Sequence, residues 1–298
     1  MIASSSSLRA RPVAPETARR LARRALGALG LRKADAAGDR GVVVEARLAD
    51  GIGLHHFGLA ADGCHPFVRA AAAGRDCPEA PDSAIVEVLR AYYDRVIPGN
   101  AADWLGLWPA SASPDLLWAP PWAATLPWQT QTPAEWRAAR EKGVPNENRL
   151  AGRELSIRDG WHACGPVSDQ KAAVEAHRVG RLLASLQEHG LRRHDGRDGD
   201  IDAVLLRGEG VQRWWVNSGH HRAAVMSALG YETAPVRIRR VVDLRDVAQW
   251  PQVRSGLFQA ADAARIVERL LAGELPGVAQ AWAHWASGQT AHPLKATA

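Results

Sequence analysis

The chain is poor in cysteine, poor in lysine and lacks any long apolar run. Its three cysteines, Cys64, Cys77 and Cys164, are an odd and widely spaced set in 298 residues. That argues against a disulfide framework and fits a reducing compartment. His55, His56, Cys64, His65 and Cys77 cluster in sequence, but with no Cys-x-x-Cys pair and no helical His-x-x-x-His spacing. The spacing of a zinc site is therefore missing, and no protein-held metal is expected. No run of about 18 apolar residues occurs, which excludes a membrane-spanning helix. The first twenty residues, MIASSSSLRARPVAPETARR, hold no apolar stretch of the secretory kind, so a cytoplasmic protein is expected. Only Lys33, Lys142, Lys171 and Lys295 are lysine among 37 basic residues. The formal charge of +5 invites a nucleic-acid reading. Its distribution weakens that reading, because the excess lies in Arg9, Arg11, Arg19, Arg20, Arg23, Arg24, Arg32, Lys33 and Arg40, while elsewhere acids and bases nearly balance.

Hydrophobic residues make up 46% of the chain, enough for a sizeable core, and the length suggests about two domains. Residues 1–15 read as a disordered tail and Glu16–Leu29 as an amphipathic surface helix. Residues 16–150 form an expected N-terminal α+β region, with a strand at Gly41–Ala49 and a helix at Ser83–Ile97 stopped by Pro98-Gly99. Within it, residues 103–136 interleave Trp104, Trp108, Trp118, Trp122, Trp128 and Trp136 with prolines. So many indoles cannot all face water, so the segment is expected to drape over the fold as an apolar wrap, with a cleft wall as the alternative. Thr132-Pro133-Ala134-Glu135 starts a helix that should end near Gly143. Residues 246–298 read as a helical extension, with one helix from about Gln259 and another over Val278–Ser287.

The clearest pattern is an α/β unit within residues 151–245. Ser168 caps a long helix ended by Gly190, Ile201–Leu206 and Val211–Val216 make a hairpin, and His220–Leu229 is a short helix before a strand over Thr233–Val242. The turn between the second strand and that helix reads Ser218-Gly219-His220-His221-Arg222. A helix start leaves backbone N–H groups without intrahelical partners, which suits an anion. Arg222 can fork onto phosphate oxygens, Ser218 can donate its hydroxyl, and His220 or His221 can carry a proton near neutral pH.

The segment WWVNSGHHRAAVMSALGYETAPVRI resembles the signature of the ParB/sulfiredoxin superfamily, through Gly219, the pair His221-Arg222, the helix end Leu229-Gly230 and the returning strand at Ala234-Pro235-Val236. The resemblance covers about residues 165–242 and implies a ParB/sulfiredoxin-like domain in an α/β protein. Sulfiredoxins carry a cysteine where this chain has His220, so sulfinic-acid reduction is not implied. Partition ParB proteins carry Gly-Glu-Arg-Arg, bind CTP and bind DNA. The Gly-His-His-Arg form is closest to the loop of kinases built on this fold. The resemblance thus implies binding of a Mg-nucleotide (ATP, ADP or CTP) and phosphoryl transfer to a small hydroxylated substrate, with a non-enzymatic nucleotide-switched or DNA-binding adaptor as the alternative. Such a kinase needs a carboxylate as proton acceptor or metal holder. Glu175 and Glu188 on the long helix, and Asp200 and Asp202 beside the first hairpin strand, are the candidates. The period-two spacing of Asp200 and Asp202 points both to one side, and the family's acid near the end of the long helix favours Glu188 over Glu175.

Overall fold

The computed structural model describes residues 41–192 and 201–289. The expected tail, the helix at 16–29 and Asp200 lie outside the described residues. Among the described residues, six strands form one mixed sheet, β1 (Val42–Arg47), β2 (Gly51–Gly53), β3 (Phe57–Gly58), β4 (Ile201–Arg207), β5 (Gln212–Ser218) and β6 (Thr233–Asp243), in the order β1-β6-β4-β5-β2-β3. β4 runs parallel to β6 and antiparallel to β5. β4 buries Ala203, Val204, Leu205 and Leu206 in unbroken succession, as a strand covered on both faces must. The protein is thus mixed α/β.

The expected division near residue 150 does not divide this sheet. β1 pairs antiparallel with β6 on one side, and β2 pairs parallel with β5 on the other, followed by β3. These short segments satisfy their backbone groups by joining the strands of the later α/β unit. β2 carries little strand signal because two of its three residues are glycine. Gly51 is required there, since a Cβ would lie 2.4 Å from Cζ2 of Trp214.

Four helices pack together beside the sheet: α1 (Pro66–Asp76), α2 (Pro81–Tyr93), α6 (Asp169–His189) and α7 (His220–Ala228). The tryptophan-rich segment contains α3 (Ala101–Trp104) and α4 (Pro114–Trp118). Trp104 and Trp128 are core residues, whereas Trp108 and Trp118 stand 71% and 86% exposed. α5 (Pro133–Leu150) opens with the expected capping box but continues past Gly143 and through Pro145. Tertiary contacts override the local breakers: Val144 and Asn148 are buried, and the Asn148 amide donates to Leu155 O while its oxygen accepts from Lys171. After β6 come α8 (Pro251–Arg254), α9 (Ala260–Ala272) and α10 (Gln280–Gln289). α9 packs against β4 and β5 through an apolar stripe that includes Ala263, Ile266, Val267 and Leu270. Trp282 of α10 is fully buried against Tyr92 and stacks on Trp285.

A loop at residues 160–165 is pinned to the end of α2. The Tyr92 and Tyr93 hydroxyls donate to Ala163 O and His162 O, and Gly165 N–H donates to Val96 O at 2.8 Å. A Cβ on Gly165 would fall 1.9 Å from Tyr93 O, a backbone atom that cannot step aside. Gly165→Ala is therefore expected to destabilise the chain by about 1–3 kcal/mol, the usual cost of forced overpacking. A thermal melt showing an unchanged midpoint would contradict the close approach.

Candidate functional site

Parallel neighbours end at the same edge of a sheet, and that is how the site is assembled. Ile52 of β2 lies opposite Trp215 of β5, so the turn after β2 and the turn after β5 emerge side by side. The first turn carries Leu54 and His55, at φ of 45° and 71°. Non-glycine residues held in the left-handed region cost on the order of 1–3 kcal/mol each, and such strain concentrates at functional sites. Its result here is to place His55 against Trp215, with ring planes 17° apart and centroids at 5.6 Å. The second turn is Ser218-Gly219, with Gly219 at φ 91° feeding directly into α7.

Both turns open into a cleft of about 820 Å³, within the size range of small-molecule sites. One wall is α6, where His177, Arg181 and Ser185 recur every four residues and so share a face. A second wall comes from Trp136, Arg140 and Glu147 of α5, joined by Trp161 and His162 of the pinned loop. Ser218, Gly219, His220, His221 and Arg222 all line this cleft, so the expected phosphate loop lies on its surface.

Beneath the loop sits a buried ion cluster. The Glu175 side chain is fully buried, with Oε1 accepting from Lys171 Nζ at 2.6 Å and from Arg178 Nη1 at 2.8 Å. Its Oε2 lies 2.8 Å from His221 Nε2. Burial pushes the Glu175 carboxyl up, but the His221 hydrogen bond and the positive surroundings, Lys171 among them, outweigh it, leaving it well below the usual carboxylate range. An ionised carboxylate only accepts, so His221 Nε2 must carry a proton. In the neutral ring, Nδ1 is then an acceptor available to the cleft. Lys171 and Arg178 together bring two positive charges to one negative one, so the cluster is cationic below the loop even with His221 neutral.

His220 has the complementary arrangement. Its Nδ1 accepts the Leu54 N–H at 3.3 Å, so Nδ1 is unprotonated and Nε2 bears the hydrogen. Burial, then the neighbouring His221 and Arg140 charges, hold its pKa down at about 3. Adjacent residues thus present a donor, His220 Nε2–H, and an acceptor, His221 Nδ1. Behind them His65 caps α1 by accepting the Phe67 N–H, and the Phe67 ring stacks on His221 at 4.3 Å. Gly53 leaves room for this, since a Cβ there would meet His65 Nε2 at 2.5 Å.

The remaining sequence candidates lie elsewhere. Glu188 is 73% exposed beside His189. It lies 13 positions beyond Glu175, about 20 Å along the helix at 1.5 Å per residue. The end of the long helix therefore does not supply the carboxylate at the loop; Glu175 does. Asp202 is opposite Ser218 in the hairpin, but its carboxylate is bound by Arg239 at 2.9 and 3.2 Å and does not line the cleft. Arg140, Trp161 and His162 were not foreseen. Among the described residues no group of His, Cys, Asp and Glu is arranged to hold a metal ion. Glu175 does not line the cleft and is taken up by Lys171, Arg178 and His221, and Glu147 is the one carboxylate among the described cleft residues. The described lining therefore does not fit a protein-held Mg²⁺; a Mg-nucleotide would have to bring the ion on its own phosphates. Cys164 is buried, which pushes its thiol up and makes it inert.

Five histidines around the site, His55, His56, His65, His162 and His220, are held below their ordinary value of 6.5, chiefly by burial. His56 and His220 are held down at about 3. Below about pH 6.5 the unfolded chain protonates these rings and the folded chain does not, so added protons favour unfolding. Each ring contributes up to about 1.4 kcal/mol per pH unit across its window. Stability is expected to be level above about pH 7 and to fall steeply from pH 6.5 downward. Glu175, with its depressed pKa, adds its own loss only below the ordinary carboxylate range. Urea unfolding at pH 7.5, 6 and 5 checks this, and equal stability at all three would contradict the neutral buried set.

No family model, no curated protein and no solved structure matches the chain.

Proposed function

We propose that the cleft binds a nucleotide or another phosphorylated small molecule on the Ser218–Arg222 loop and transfers a phosphoryl group to a small hydroxylated acceptor. The observation that carries this reading is the 2.8 Å contact between His221 Nε2 and Glu175 Oε2 directly beneath a helix start open to the cleft. Unpartnered N–H groups of α7, the Arg222 side chain and the cationic cluster around Lys171 suit a phosphate. In the transfer, the acceptor hydroxyl oxygen forms the new P–O bond while the bond from phosphorus to the leaving phosphate oxygen breaks. The hydroxyl proton passes to His221 Nδ1, and Glu175 balances the charge that the imidazole gains. His220 Nε2–H is placed to donate to a phosphate oxygen. Such chemistry is largely positioning and charge neutralisation, which a lining rich in arginine and histidine supplies. The likeness of the loop to ParB-fold kinases points the same way. A nucleic-acid adaptor is the weaker reading, because the loop faces a cleft of small-molecule size.

ATP, ADP, CTP and GTP, each with and without Mg²⁺, should be compared for their effect on thermal stability. A ligand at about 100 times its Kd adds roughly 2.7 kcal/mol, worth about 5–10 °C in a chain of this size. The shift is expected to be selective for one base and to vanish in Arg222→Ala. His221→Asn should keep the shift and lower phosphoryl transfer about 10²–10⁴-fold. Absence of a shift with every nucleotide would overturn the reading.

A further inference from the structure

Arg140 is the cation in the cleft wall whose surroundings are least explained by folding. Its guanidinium lies between two indoles, 4.5 Å from the Trp161 ring centre and 5.0 Å from that of Trp136. Trp136 sits one helical turn before it on α5, and Trp161 reaches it from the pinned loop, so two separate segments hold the group in place. Yet no side chain or carbonyl among the described residues accepts a hydrogen bond from it, and its Nε is buried without a partner. The indole N–H groups of Trp136, Trp161 and Trp215, all cleft residues, are likewise buried and unpartnered. Native proteins leave few such groups unsatisfied, and four around one cleft form an unusual concentration. The contrast with Arg178 is direct, since that side chain spends its donors on Glu175 and on Glu147 O.

Building this wall works against stability. Burial lowers the proton affinity of Arg140 more than the nearby Glu147 charge raises it and brings its pKa down to about 10, so the group remains charged at neutral pH although no carboxylate is hydrogen-bonded to it. Its charge is felt at both His55 and His220, which places it near the two turns that bear the loop. A fixed, desolvated, aromatic-backed guanidinium open to a cleft is suited to an incoming oxyanion.

We propose that Arg140, backed by Trp136 and Trp161, is a second anion subsite of the cleft, binding a carboxylate or phosphate group separate from the phosphate on the Ser218–Arg222 loop. This rests on the phosphate-binding reading above only for the identity of the first site. The ligand set then carries oxyanions at two points, and the acceptor is an anionic hydroxyl compound rather than a neutral one.

The test uses malonate and inorganic phosphate as probes, titrated into the full chain and into Arg140→Met, Arg140→Lys and Arg222→Ala, with thermal shift as readout. At least one probe is expected to stabilise the parent chain, with affinity falling about tenfold or more in Arg140→Met and partly restored in Arg140→Lys. Whichever of malonate and phosphate shifts more identifies the anion. Arg222→Ala should keep that Arg140-dependent shift while losing the nucleotide shift. If no nucleotide binds but the Arg140-dependent shift persists, the kinase reading fails and this one stands. In ligand-free buffer Arg140→Met should match or exceed the parent midpoint, because a buried cation with no hydrogen-bond acceptor is removed while packing is kept. A clearly lowered midpoint would make Arg140 a packing element and overturn the proposal, as would equal probe shifts in parent and Arg140→Met or no shift with either probe.

Discussion

A fully buried Glu175 carboxylate, bound at once by Lys171, Arg178 and His221, is the constraint on which the rest of the site depends. Carboxylates are rarely buried completely, and one left alone there would take up a proton. Three donors keep this one ionised, and its charge dictates which nitrogen of His221 holds hydrogen. Removing one partner of such a cluster typically costs about 3–5 kcal/mol, because the remaining charges stay buried without compensation. The cluster therefore ties α6 to the start of α7 and to α5, where Asn148 completes the Lys171 bonds. The same contacts that hold these helices together set the protonation of the loop.

The sheet contributes the other half of the arrangement. Because β2 and β5 are parallel and adjacent, the strained turn at Leu54 and His55 arrives beside the loop at Gly219. The Leu54 N–H then fixes the tautomer of His220 as Glu175 fixes that of His221. Two neighbouring histidines of identical type acquire opposite roles from different partners, one a backbone donor and the other a carboxylate. Environment, not residue type, separates a proton donor from a proton acceptor here.

Local patterns in the sequence were enough for the elements near the loop. A strand, a glycine and a short small-residue helix identify the turn at Ser218–Arg222, and the Ser168 cap with Gly190 brackets α6, because caps and glycine turns act over a few residues. The carboxylate was harder. Glu175 and Glu188 are the same residue type on one helix, and only a contact spanning 46 positions, to His221, distinguishes them. A signal was nevertheless present: Lys171, Glu175 and Arg178 fall at helical spacing beside buried Ala172, Val174 and Ala176, where charge is out of place unless paired. β2 was illegible because glycines carry no strand preference, and the second half of α5 because its support comes from Lys171, Arg178 and Leu155 rather than from its own residues. Arg140 was invisible as a site residue, since its second indole, Trp161, belongs to a polar loop with no periodicity.

The central claim is that Glu175 and Leu54 assign opposite free nitrogens to His221 and His220. Long-range ¹H–¹⁵N correlation of the histidine side chains across pH measures this directly. Both rings should carry hydrogen on Nε2 near pH 7.5, with His220 remaining neutral as the pH falls well below 6.5. A His220 that titrates near 6.5, or a neutral His221 with its hydrogen on Nδ1, would contradict the account.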